Sequence, residues 1–223
     1  MGTTQTARLS LFPGLPFWKT PGQNGRLPAM LNHVAELRTS TRPLHQKLED
    51  TQCALAIMNP LLQPAEYLEL LKWWHRHWKV LEHLERRLRP DHADTLLIPQ
   101  RRSAKAEADI QALAGLLNLP PDDNDYDSWP EPDIPGASGS WEGLAYVMKG
   151  SELGSKMIKK QLQTSLIGTP AINHLGFFDS APDQPAWPVV IHRLEELLEQ
   201  PLTRMQCIAS ANRIFEWLIR SAL

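Results

Sequence analysis

Apolar residues recur along most of this chain at the three-and-four spacing of a helix, and nowhere do they alternate for long enough to make a useful strand. Leu31, Val34, Leu37, Leu44 and Leu48 mark the first such run, from Ala29 to about Asp50. Pro43 lies inside it, where a missing N–H either kinks the helix or marks a local irregularity. Pro64 suits the first turn of a second helix, whose stripe is Tyr67, Leu71, Trp74, Trp78, Leu81, Leu84 and Leu88. A third helix runs from about Arg101 to Leu117 and stops before Pro120 and Pro121. Residues 118–137 are acidic and proline-rich and read as a surface loop. Ser138 or Ser140 then caps a fourth helix, with Glu142 favourable in its first turn, and this helix reaches about Leu162. Residues 164–187 are irregular, broken by Gly168, Pro170, Gly176, Pro182 and Pro185. Two last helices cover Pro188–Glu199 and Leu202–Arg220, the second with Met205, Ile208, Ala211, Phe215 and Leu218 on one face. The pattern predicts a single all-α domain of about six or seven helices over residues 29–223. A flexible, Pro/Gly-punctuated tail is expected over residues 1–28.

Composition narrows the function more than it shapes the fold. The chain has 223 residues, 42% hydrophobic and 22% charged, with a net charge of −2. That balance gives no global field for nucleic acid or an anionic membrane. No apolar run approaches the roughly 20 residues of a membrane span. The two cysteines, Cys53 and Cys207, are far apart and form no CxxC pair, which suits a reducing, cytoplasmic compartment. The first residues fit a loose myristoylation pattern and lack acidic residues before Glu36, as a transit peptide would, but a flexible tail describes them better. Eight tryptophans and eight histidines are the oddities, several of them in KWWHRHW, Lys72 to Trp78, which reads as core-building aromatics.

The most informative stretch is Tyr146 to Ile158, YVMKGSELGSKMI. It is helical in pattern, yet it carries Gly150, Ser151, Gly154 and Ser155 where a helix prefers bulk. Each interior glycine costs about 1 kcal/mol relative to alanine. Such a cost is kept when something comes close to the backbone, either a second helix or a flat ligand. Tyr146, Gly150 and Gly154 stand at i, i+4 and i+8 and share a face, with Ser151 and Ser155 in a second row beside it. On the first helix, Arg38 and Arg42 precede His45 by seven and three residues, and Glu49 follows it by four. A carboxylate one turn on can accept the second ring N–H of a metal-binding histidine and fix its tautomer. One histidine, its orienting carboxylate and two guanidiniums suit heme, which carries two anionic propionates.

These residues resemble the heme oxygenase family. LRTSTRPLHQKLED, Leu37 to Asp50, looks like the proximal helix of that family, and GLAYVMKGSELGSKMI, Gly143 to Ile158, like its distal helix. RRSAKAEADIQAL from Arg101, GFFDSAP with Trp187, and ANRIFEWL from Ala211 match further landmarks of the bacterial, phytochrome-associated branch. The resemblance runs in order over about residues 31–220. It implies an all-α, single-domain helical fold with heme b held between the two helices as both cofactor and substrate. It implies a reaction with O2 that opens the ring to biliverdin and releases CO and Fe(II). A ferredoxin or a reductase would supply electrons, and a bacterial phytochrome could receive the biliverdin. Basic surface from Arg42, Lys47, Lys156, Lys159 and Lys160 could dock an acidic ferredoxin.

Residue by residue, the resemblance makes His45 the axial ligand of the iron and Glu49 its partner. Arg38 and Arg42 fall near the propionates, and the resemblance also carries Tyr146 toward one of them. Gly150 and Gly154 would let the distal helix pass directly over the iron-bound ligand. Ser151 stands where animal members carry an aspartate that organises distal water. Three positions depart from the family. Ser155 replaces the second glycine of a Gly-Gly pair and brings a hydroxyl toward the distal side. FFDSA lacks a Tyr and a Gly. Pro188 follows Trp187 where a basic residue is common, which leaves Arg193 as the nearest substitute. A heme-binding module without oxygenase activity, used in transport or sensing, stays open, as does a structural all-α protein. A di-iron oxidase does not fit, since no histidine has a glutamate three residues before it.

Overall fold

The described residues form seven α-helices and no strand, and most of the helices fall where the apolar periodicity predicts them. They are α1 (His33–Glu49), α2 (Gln52–Ile57), α3 (Pro64–Leu88), α4 (Ser103–Leu117), α5 (Ser140–Ser165), α6 (Trp187–Leu197) and α7 (Pro201–Arg220). The structure is a computed structural model and describes residues 32–120, 130–181 and 183–222. The predicted tail over residues 1–28 and much of the acidic loop lie outside the described residues.

Most boundaries follow local chemistry. Pro64 opens α3 in its first turn, and the Glu66 carboxylate accepts the Gln63 N–H at 2.8 Å. Prolines occupy the first turns of α6 and α7 in the same way. α4 ends at Asn118, which takes the left-handed conformation at φ 53°. Pro43 is exposed and does not break α1, since a missing N–H is tolerable where solvent reaches the carbonyl one turn back. α2, only six residues long, was not anticipated; the Thr51 side chain caps it by accepting the Ala54 N–H.

Two helix starts are set by tertiary contacts. The first amides of α1 donate to a carboxylate from α6: His33 N–H to Glu195 Oε1 at 2.5 Å and Val34 N–H to Glu195 Oε2 at 3.0 Å. A negative group there also suits the positive end of the helix dipole. α5 is capped by neither Ser138 nor Ser140. Its cap is Gly139, at φ +93°. A side chain there would run into the backbone of α7, with Thr203 C at 2.9 Å and Cys207 N at 3.1 Å from an added Cβ. The reason for this glycine is therefore the crossing of α7, a contact about 65 residues away in sequence.

α3 carries the centre of the core, with Tyr67, Leu68, Leu71 and Leu84 fully buried. Each such leucine contributes about 1.5–3 kcal/mol through removal from water. KWWHRHW does build core, as its aromatics suggest. Trp78 is buried, Trp74 stacks on Phe177 at 5.8 Å, and Trp73 Nε1 donates to the Ser221 carbonyl at 2.8 Å. His77 is buried between Trp73 and Trp217. Its Nδ1 donates to the Trp73 carbonyl and its Nε2 accepts from Ser221 Oγ, both at 2.6 Å. Burial pushes its pKa down to about 4, against the raising effect of the Trp73 carbonyl and with a smaller push from the Arg76 charge. Both cysteines are free thiols. Among the described residues, no helix is long and apolar enough to cross a membrane.

α7 packs along both α1 and α5, whereas those two helices touch each other far less. The segment between α5 and α6 forms two 3-10 turns, Pro170–Asn173 and Gly176–Phe178. Asp109 holds the second by accepting the Phe177 N–H at 2.8 Å. Ordinary loop signals placed this stretch, but the turns are fixed by side chains of α3 and α4.

Candidate functional site

α1 presents Arg38, Arg42, His45 and Glu49 within three turns. Glu49 is buried, and its Oε1 lies 3.2 Å from His45 Nδ1, while the His45 side chain is 50% exposed. One end of the imidazole is thus held from within the fold, while half of the side-chain surface is exposed. The ring meets Phe215 of α7 edge-on, with centroids 5.5 Å apart and planes at 77°. Arg38 is half-buried, and Arg42 is exposed one turn further on.

The matching part of α5 is bare. An added Cβ at Gly150 would find only Trp187, at 3.9 Å, an ordinary van der Waals distance. Among the described residues, no backbone atom of another helix lies within 4 Å of that position. At Gly143, two turns earlier, an added Cβ would collide with the Cys207 carbonyl and stand 3.0 Å from Ser210 Cβ. Close packing on α7 accounts for Gly143, whereas the nearest neighbour of Gly150 is the ring of Trp187. Gly154 lies half-buried one turn beyond Gly150.

Tyr146 closes one end of this face. It is buried, its ring lies 6.2 Å from that of Trp187, and its hydroxyl faces Thr41 and Arg38 of α1. Burial raises its pKa most, while the Thr41 side chain and the Arg38 charge pull it down. Thr41 is itself buried and donates to the Leu37 carbonyl at 2.9 Å. Here, at Tyr146, the two site helices come together.

Ser151 and Ser155 diverge. Ser151 is exposed and donates to the Met148 carbonyl at 2.6 Å. Ser155 is buried; it donates to the Ser151 carbonyl at 3.0 Å and accepts from Arg102 Nη2 at 2.7 Å. Its hydroxyl is therefore occupied toward α4. Arg193, the nearest basic residue after Trp187, is engaged elsewhere. Its guanidinium is paired with Asp94 and Glu196, so its charge is already taken. The loop that lacks the family's Tyr and Gly is laced by polar bonds instead: Gln100 Nε2 to the Asp179 carbonyl at 2.9 Å, Ala181 N–H to Gln100 Oε1 at 2.8 Å, and Lys149 to Gln184. Lys159, one of the expected docking cations, is paired with Asp179.

Thr41 and Trp187 stand out only within the motifs that resemble the family, Phe215 also on the apolar face of the last helix, and little sets Arg102 apart. Its only sequence signal was the Arg-Arg pair opening the third helix. Among the described residues, no group of three or more His, Cys, Asp or Glu side chains could hold a metal ion.

No family model matches this chain, and no curated protein matches it by sequence. Solved structures do. The NO- and CO-bound heme oxygenase of Neisseria meningitidis aligns with TM-score 0.62 and 20% identity, over 86% of this chain and 90% of that one. The heme oxygenase of Leptospira interrogans aligns with TM-score 0.60 and 15% identity, over 86% and 98%. Heme oxygenase-1 of the cyanobacterium Synechocystis, in complex with heme, aligns with TM-score 0.58 and 16% identity, over 86% and 90%. The chain has the all-helical heme oxygenase fold. That agrees with the family resemblance of its motifs, whereas the phytochrome-associated branch is not singled out by these neighbours.

Proposed function

We propose that this protein is a heme oxygenase that takes heme b, O2 and external electrons and yields biliverdin, CO and Fe(II). One observation carries the reading: His45, oriented by buried Glu49, stands on α1, while on α5 a Cβ at Gly150 would meet only the Trp187 side chain within 4 Å. When bound, the heme supplies the iron that activates O2 and the ring carbon that is oxidised. The side chains present fit that group. His45 would hold the iron through Nε2, because Glu49 accepts from Nδ1–H, fixes the tautomer and raises the basicity of the ring. Arg38 and Arg42 would receive the propionates, to which planar guanidiniums donate in pairs. Gly150 and Gly154 would admit the ring and its small ligand close to the α5 backbone. Ser151 would accept from a distal water, since its own proton is given to Met148. Tyr146 would bound the slot where α1 and α5 meet. Ser155 would act on α5 through Arg102 rather than by touching the ring. A ferredoxin or a reductase would serve as donor, a bacterial phytochrome as acceptor of the product, and the cytoplasm as the compartment.

Hemin titration of the purified chain should give a histidine-ligated spectrum that His45→Ala weakens or alters. Turnover with a ferredoxin reductase system, O2 and catalase should yield biliverdin, identified with its isomer by chromatography. Full turnover in His45→Ala would remove the assignment. A second reading, heme binding without oxygenation, is favoured by the engagement of Ser155 with Arg102, which leaves α5 less open than two adjacent glycines would. Heme that persists unchanged under reductant and O2 selects that reading.

A further inference from the structure

We propose that Arg102 is a positioning residue for the glycine-containing turns of α5, acting through the Ser155 hydroxyl. The proposal rests on the heme reading for its functional meaning, but its structural half stands alone.

Arg102 sits at the start of α4 and is 3% exposed. Its backbone N–H, Nε and Nη2 are all engaged. Its backbone N–H donates to Glu82 Oε1 at 2.6 Å, which ties it to α3. Nε and Nη2 both donate to the Phe177 carbonyl, at 2.8 and 2.7 Å. Nη2 also donates to Ser155 Oγ at 2.7 Å. The flat face of the guanidinium lies 4.3 Å from the Phe177 ring centroid and 5.0 Å from that of Trp78. Burial brings its pKa down to about 10, opposed by Glu152, Glu82 and Asp179, so it stays charged at neutral pH.

Ser155 has one proton and gives it to the Ser151 carbonyl. A charged donor on its lone pair polarises that hydroxyl, so the bond to Ser151 strengthens. Back-bonding of this kind competes with the backbone N–H for the same carbonyl and bends a helix locally. The bond falls in the turns that hold Gly150 and Gly154, where side chains cannot set the course of the helix. One cation fixed by α3 and the Phe177 turn thereby sets where those turns of α5 lie. The serine in place of a second glycine and the buried arginine form a matched pair.

The test uses Ser155→Ala, Arg102→Lys and the double variant of the full chain. Without heme, amide exchange over residues 151–158 should quicken about ten-fold in either single variant, as expected for loss of one charge-assisted bond. The double variant should add little more. With heme and CO bound, the C–O stretching frequency should shift in both singles, because the backbone over the ligand has moved. A purely structural role would lower the melting temperature and leave that frequency in place. Unchanged exchange or an unchanged frequency in Ser155→Ala overturns the proposal. If the wild-type chain takes up no heme, the functional reading falls, and exchange alone decides whether Arg102 fixes this segment.

Discussion

Gly143 and Gly150 stand two turns apart in one helix, and alanine at the two positions should act in opposite directions. At Gly150 the new methyl would meet only Trp187, at 3.9 Å. The heme-free protein should gain most of the helix propensity difference, about 0.5–1 kcal/mol. For a domain of this size that is about 2–4 °C in melting temperature per kcal/mol. At Gly143 the methyl would enter the Cys207 carbonyl and stand 3.1 Å from Ala211 N. Overpacking of a fixed backbone crossing costs about 1–3 kcal/mol, enough to cancel the propensity gain and reverse the sign. With heme present, the order should change again. The Gly150 methyl would press on a ring seated against α5, and the same overpacking cost corresponds to about 5- to 150-fold weaker binding. Thermal melts with and without hemin, read beside spectroscopic titrations, separate these effects. Gly150→Ala should raise the melting temperature without heme and shrink the rise that heme produces. If Gly150→Ala destabilises the heme-free chain, the open face is wrong. If it leaves heme affinity untouched, the ring does not lie there.

Three further outcomes follow from other parts of the molecule. Glu49→Gln should keep the His45 ligand but weaken its donor strength, seen as a shifted iron–histidine vibration, whereas Glu49→Ala should also lower heme affinity; no shift in either would separate Glu49 from His45. Glu195→Ala removes the carboxylate from the first two amides of α1 and should cost about 1–2 kcal/mol in denaturant unfolding, and an unchanged midpoint would contradict the cap. His77 is held neutral with a folded pKa of about 4 against about 6.5 unfolded, so the unfolded chain binds the extra proton between those values. Stability should therefore fall as pH drops from about 6.5 toward 4, with about 3 kcal/mol from this group, and His77→Gln should flatten that part of the profile.

Much of the fold was legible because α3, α4 and α7 combine strong periodicity with prolines at their starts or ends. α2 was missed because six residues carry too little periodicity to stand out. The start of α5 was misread because Gly139 answers to Thr203, and nothing local marks that crossing. The same division runs through the site. His45 and Glu49 lie one turn apart, so their pairing could be read from spacing alone. Ser155 and Arg193 could not be placed, because their partners Arg102 and Asp94 come from other elements. The glycines of α5 announced a close approach, but only the packing of α7 shows that Gly143 is held by a helix crossing and that Gly150 is not.

The short helix α6 has a consequence of its own. Trp187 at its head stands over Gly150 of α5, and Glu195 near its tail grips the first amides of α1. Eight residues, about 12 Å of helix, separate these two attachments. α6 thus works as a gauge block between two walls, α5 and α1, and its length helps set their spacing. Inserting one residue between Val190 and Leu194 would rotate Glu195 by about 100° and carry it off the α1 amides. Substitutions on the outer face of α6 should be harmless, but changes in its length should be felt at both walls at once.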